Sequence, residues 1–180
     1  MLLNKKWLIK DSKYKLTNCK VMMDITESLK NITVSSIMTP NVITVNEKQT
    51  LREGSKFMYQ HNIGGLIVLM DTSNNETAEI DKPIGIITER DIARLVAFSS
   101  NLSTDTAISE VMSKPLITIN QNSSIKEVTD LMQQNDIRRL PIVDNKGKLV
   151  GIITAKDILR SLMEFLKSLM SQQDLMQLAF

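Results

Sequence analysis

Two short stretches place a hydroxyl and a carboxylate at the same spacing: Thr88-x-x-Asp91 in "GIITERD" and Thr154-x-x-Asp157 in "GIITAKD". Each Thr ends a β-branched run, and a helical pattern follows, so each pair sits at a strand-to-helix junction. One chemistry this allows is purely structural. The Thr hydroxyl accepts from an early helix N–H, and the acid three residues on reaches back to the cap's own N–H. That box prefers Glu or Gln, whereas both stretches use the shorter Asp. The other chemistry is recognition. A helix start offers unpaired N–H groups and partial positive charge, which suit a phosphate. A Thr hydroxyl there can bind a phosphate or sugar oxygen. An Asp carboxylate is an acceptor with two oxygens; it can take both hydroxyls of a cis-diol such as a ribose, but it repels a phosphate. Thr plus Asp therefore suits a nucleoside, with the diol on the Asp and the phosphate displaced toward the helix end or a cation. The residues between them, Glu89–Arg90 and Ala155–Lys156, face solvent or a partner unit on this account, so they are free to differ.

Arg138 and Arg139 add a second recognition element, because guanidinium forks bind phosphate well. The plainer alternative is a solvated pair on a strand edge. Pro141 has no N–H, so it belongs at a strand edge or start and leaves a strand end open to a ligand. Other chemistries lack their parts. His61 is the only histidine and Cys19 the only cysteine. No internal disulfide, thiolate metal site, catalytic triad or zinc site can be assembled from them. There is no Gly-Lys-Ser/Thr phosphate loop and no G-x-G-x-x-G fingerprint. Glu89 and Asp91 are two apart, which points them to different helix faces. The sequence predicts a protein that is not an enzyme and holds no resident metal.

The elements behind these residues occur twice. Met38 falls on Met112, "NVITVN" (41–46) on "PLITIN" (115–120), Met58 on Met132, Leu66 on Leu140 and His61 on Asn135. A polar, turn-rich insert, "DTSNNETAEIDK", lengthens the first copy between Met70 and Pro83. Each copy opens with a β-branched strand ("VITV"; "LITI"). A helix follows, with apolar residues at helical spacing: Leu51, Gly54, Phe57, Met58 against Ile125, Val128, Leu131, Met132. Two further strands come next ("GGLIVLM", "PIGIIT"; "RLPIVD", "LVGIIT"), joined in the second copy by the hairpin signal "NKG". A helix opens directly after the Thr. The predicted fold is α+β: two β-α-β-β-α units packed with pseudo-two-fold symmetry, since one unit of about 60 residues is marginal alone. The expected boundaries are a basic segment and lead-in helix over 1–33, units over 34–100 and 105–165, and a helical extension over 166–180.

The whole chain carries a net charge of only +2 on 180 residues. Residues 1–20 are the exception, with Lys5, Lys6, Lys10, Lys13, Lys15 and Lys20 against Asp11, and with Trp7 and Tyr14 interleaved. That segment could act as a nucleic-acid arm, though such ends are more often loosely ordered tails. No apolar run approaches the roughly 20 residues that span a bilayer, and no signal peptide is evident, so a cytoplasmic protein is expected. In the last helix Leu159, Leu162, Leu166, Leu169 and Met176 follow a helical rhythm. Leu159 and Leu162 are expected on their own core. Beyond Leu166 a seam with a second copy or another protein is expected.

The tandem units, the openings "VSSIMTPNVITV" and "ISEVMSKPLITI", the middle "IRRLPIVD" and the ending "GIITAKD" resemble CBS domains paired as a Bateman module, over residues 34–165. That resemblance implies a regulatory, adenine-nucleotide-sensing protein, dimeric, that passes its ligand state to a regulated partner. The ligands it implies are AMP, ADP or ATP, or S-adenosylmethionine, with magnesium left open. It implies a main cleft of Thr154, Asp157, Arg138, Arg139, Leu140 and Pro141, with Thr39, Val42 and Ile43 reaching across near the base. A second cleft would use Thr88, Asp91, Leu66, Lys114, Leu116 and Ile117. Gly64 and Gly65 stand where the second copy has its arginines, which leaves the second cleft without an evident phosphate partner. A nucleic-acid-associated regulator using the Lys-rich start, or a structural dimerisation module with vestigial clefts, are the alternatives.

Overall fold

Helix starts are written into the chain by paired polar residues. The Thr50 hydroxyl accepts from the Glu53 N–H at 3.2 Å, and Glu53 Oε2 accepts from the Thr50 N–H at 2.7 Å. Ser124 and Glu127 repeat this at 3.3 and 2.7 Å. The backbone amides of Thr50 and Ser124, followed by their hydroxyls, hold the Glu53 and Glu127 carboxyls below the usual glutamate range. These boxes open α1 (Leu51–His61) and α4 (Ile125–Gln134). Each buries a stripe at helical spacing, Leu51, Gly54 and Met58 in one and Ile125, Val128 and Met132 in the other.

The computed structural model describes residues 32–71, 82–100 and 102–177. The first copy runs β1 (Thr44–Asn46), α1, β2 (Gly65–Leu69), β3 (Pro83–Thr88) and α2 (Glu89–Phe98). The second opens with the short α3 (Ile108–Val111) and runs β4 (Ile119–Asn120), α4, β5 (Arg139–Val143), β6 (Leu149–Thr154) and α5 (Ala155–Gln177). A 3₁₀ turn at Val34–Ser36 stands where α3 stands in the second copy. The sheets have orders β1-β2-β3 and β4-β5-β6. In each, the first pair is parallel and the second antiparallel. Both break register at the equivalent place, Val68/Leu69 and Ile142/Val143. The expected β-α-β-β-α pattern is present twice.

Val42 and Ile43, and Leu116 and Ile117, lie before their strands, which are shorter than "VITV" and "LITI" suggest. Pro141 explains part of this. It is not at an edge or start but third in the central strand β5. The β4 ladder begins opposite Ile142, one residue later. In the first copy the equivalent Ile67 has an N–H, and β1 pairs with it through Thr44. The proline is tolerated because the neighbouring strand starts just past it.

The opening segments are exchanged. Val34, by sequence part of the first copy, is fully buried in the core built on α4, β5 and β6. Its N–H reaches the Ser123 carbonyl at 2.8 Å, and Thr39 and Ile152 exchange both backbone bonds at 2.9 and 3.0 Å. Ile108 does the converse, buried with Leu51, Met58, Leu66 and Ile87, its N–H on the Gln49 carbonyl at 2.8 Å. The repeated glycine of "GIIT" makes room for this. A Cβ on Gly85 would collide with Met112, and one on Gly151 with Met38. Each core is thus completed by the other copy.

Leu159, expected on its own core, is 59% exposed; Ile158, about 100° round the helix, packs there instead. Leu162 and Leu166 are half-buried. The side chains of Leu169 and Met176 lie outside the described residues, as do the lysine-rich start with Cys19, the lead-in helix and most of the insert.

Candidate functional site

Thr88 and Thr154 end β3 and β6, and α2 and α5 begin on the next residue. Both acids fold back on their threonines. Asp91 Oδ2 accepts from the Thr88 N–H at 2.8 Å and its hydroxyl at 2.6 Å. Asp157 Oδ2 accepts from the Thr154 N–H at 2.9 Å and its hydroxyl at 2.6 Å. Both are capping boxes with Asp in the Glu position. The structural role is therefore present, and it engages one carboxylate oxygen of each acid.

The other oxygens differ. Asp157 Oδ1 is ion-paired with Arg160, one turn on, and Asp157 is only 8% exposed. Asp91 Oδ1 accepts from the Ser113 hydroxyl at 3.3 Å. Arg94 occupies the place of Arg160 in the first copy, so the repeated motif is Thr-x-x-Asp-x-x-Arg. The arginine escapes notice in a search limited to the Thr and Asp.

A cavity of about 960 Å³ lies between the units and opens on both Thr-Asp corners. Thr39, Val42, Ile43, Arg138, Arg139, Pro141, Thr154 and Asp157, expected at one cleft, all line it. So do Thr88, Asp91, Leu116 and Ile117, expected at the other. The two clefts are ends of one space. Three expected residues do not line it. Leu66 and Leu140 are fully buried in the two cores. They alternate along their strands with Ile67 and Pro141, and neighbouring strand residues face opposite sides. Lys114 is exposed and does not line the cavity, although Ser113 and Pro115 on either side of it do.

Further lining residues were not singled out by their types. Asn41, Asn62 and Asp136 line the cavity with φ of 55°, 51° and 49°. Left-handed backbone is most accessible to Asn and Asp among residues with a side chain. The last two are equivalent positions just past α1 and α4, where the chain turns into the central strands. Gly64 also has a structural reason. A Cβ there would lie 2.7 Å from Glu89 Oε2 and closer still to the Arg139 guanidinium. Arg139, from the second copy, thus reaches over the first copy's backbone at the start of α2. His61 lies outside the cavity, its ring 6.4 Å from that of Phe57. Among the described residues, no cluster of His, Cys, Asp and Glu has the make-up of a metal site. No helix among them is long and apolar enough to cross a membrane.

Two equivalent α+β units, opening segments exchanged around one shared cavity, define a paired module of the kind the sequence resembles. The CBS domain model matches residues 34–97 and 108–164, and the chain belongs to the CBS domain family. It is 36% identical over 132 residues to an uncharacterized protein of Methanopyrus kandleri, covering 73% of this chain and 63% of that one. It is 39% identical to the CBS domain-containing protein YhcV of Bacillus subtilis, covering 69% of this chain and 81% of that one. Among solved structures, one neighbour is a CBS domain pair in complex with 5′-methylthioadenosine and S-adenosyl-L-methionine. It is 28% identical with a TM-score of 0.63, covering 74% of this chain and 97% of that one. CBS pairs are commonly regulatory.

Proposed function

We propose that this chain is a cytoplasmic regulatory module that senses an adenosine-containing ligand and passes its state to a partner protein. AMP, ADP and ATP are the leading ligands, with S-adenosylmethionine as competitor. The observation that carries this is the convergence of two Thr-x-x-Asp helix starts and two arginines, Arg138 and Arg139, on one cavity. A carboxylate oxygen for the ribose diol and guanidinium groups for phosphate are what a nucleotide needs. The solved neighbour with adenosine-type ligands supports the same class. The ligand bridges the two units and favours one relative orientation, which the partner reads. It can shift that equilibrium only by its difference in affinity for the two states. Val96, Phe98, Leu159 and Met163, exposed on the two helices that follow the third strands, support self-association of the module.

Thermal and urea unfolding with AMP, ADP, ATP and S-adenosylmethionine, each with and without Mg²⁺, tests this. A ligand at 100 times its Kd stabilises by about 2.7 kcal/mol. No stabilisation by any of them would leave a structural dimerisation module as the better account. Salt-dependent binding to nucleic acid, lost on deleting residues 1–20, would favour the nucleic-acid account.

A further inference from the structure

We propose that the two ends of the cavity are unequal: the Thr88–Asp91 corner takes the nucleoside and its phosphate, while Arg160 acts as an internal competitor at Asp157. This rests on the adenosine-ligand function proposed above, and it reverses the order expected from Arg138, Arg139 and Pro141 in the sequence.

The first ground is the acids. A diol needs acceptor oxygen that is not already neutralised. Both oxygens of Asp157 are engaged, one by the cap and one by the Arg160 guanidinium. A ligand hydroxyl would have to compete with a charge-assisted pair, the stronger kind of hydrogen bond. Asp91 has the same cap, but its second oxygen meets only the Ser113 hydroxyl among the described residues, at 3.3 Å. A contact of that length from an uncharged hydroxyl donor is readily exchanged for a sugar hydroxyl. Arg94, equivalent to Arg160, lines the cavity instead.

The second ground is the phosphate partner, and it is independent of the first. Arg139 crosses from its own unit and lies over Gly64, beside the start of α2. Its equivalent in the first copy is Gly65, which has no side chain to reach back toward α5. This position therefore sends an arginine across to the Thr88–Asp91 corner and none back to the Thr154–Asp157 corner. Glu89 lies beside the same spot, with Oε2 2.7 Å from where a Gly64 Cβ would be. Its carboxylate opposes a phosphate, so an arriving phosphate must push the Glu89 side chain away from this spot. The equivalent residue at the other corner is Ala155.

Isothermal titration of the full chain with AMP tests the assignment, using the native protein, Asp91→Asn, Arg160→Met, Arg160→Gln and Arg160→Met/Asp157→Asn. Urea unfolding of each variant confirms that it is folded. The native chain should bind one AMP. Asp91→Asn, which keeps a capping oxygen, should weaken binding at least tenfold. Arg160→Met and Arg160→Gln should each admit a second AMP, and adding Asp157→Asn should return the count to one. Two AMP on the native chain, an unchanged count in both Arg160 variants, or unchanged affinity in Asp91→Asn would overturn this inference and leave nucleotide sensing standing. AMP bound by none of the proteins would overturn this inference, and failure of ADP, ATP and S-adenosylmethionine to stabilise the native chain as well would overturn the sensing function too.

Discussion

Gly54 offers a direct test of the exchanged opening segments. It lies within α1, facing Ile108 of the other copy. A Cβ at Gly54 would lie 2.9 Å from Ile108 Cδ1 and 3.8 Å from its Cγ1. The first distance is a collision and the second an ordinary contact. Replacing Gly by Ala within a helix gains about 1 kcal/mol of propensity. Overpacking a core costs about 1–3 kcal/mol. Gly54→Ala alone should therefore range from neutral to about 2 kcal/mol destabilising. Ile108→Val removes Cδ1, the colliding atom, at about 0.5–1.5 kcal/mol. In that background Gly54→Ala keeps its propensity gain without the collision. The double variant should be close to the native chain in stability, with a favourable coupling of about 1–3 kcal/mol. Urea unfolding of the four proteins measures it. Additivity within about 0.5 kcal/mol would refute the packing of Ile108 on α1, and with it the exchange that brings Ser113, Leu116 and Ile117 to the Asp91 corner.

Gly64→Ala should act on binding rather than folding. Gly147 is the only described glycine with positive φ, at 82°, so the backbone at Gly64 accepts Ala. The new methyl would push the Arg139 and Glu89 side chains aside. Losing a hydrogen bond to a charged group costs about 1.5–3 kcal/mol, so AMP affinity should fall roughly 10- to 150-fold with adenosine affinity little changed; equal losses for both, read by titration, would count against Arg139 as the phosphate partner. For pH, Glu53 and Glu127 are both held below the ordinary glutamate range in the folded chain. Their contribution is complete above the unfolded glutamate pKa and is lost as pH falls through the lowered folded values. Denaturation midpoints between pH 6 and pH 3, on an order-of-magnitude pH scale set by the glutamate pKa of about 4.3, should fall less steeply in Glu53→Gln/Glu127→Gln than in the native chain.

The repeat made the architecture legible, because alternation, helical spacing and turn residues all agree in both copies. The Thr-Asp corners were legible for the same reason. The contents of the cavity were less so. The resemblance implied Leu66 and Leu140 as cleft residues, but strand alternation turns them into the cores. The reach of Arg139 over Gly64 could not be read from spacing, since it depends on how one unit docks on the other. Arg94 and Arg160 carry the same sequence signal yet have different surroundings, one lining the cavity and the other paired with Asp157.

Because each half carries a piece the other lacks, the covalent tether between them is mechanically redundant. A protease nick between Ser99 and Thr104 would leave two fragments clasped in both directions, by Val34 one way and Ile108 the other. The clasp also supplies leverage: tension at one corner of the cavity pulls on a strap rooted in the opposite half.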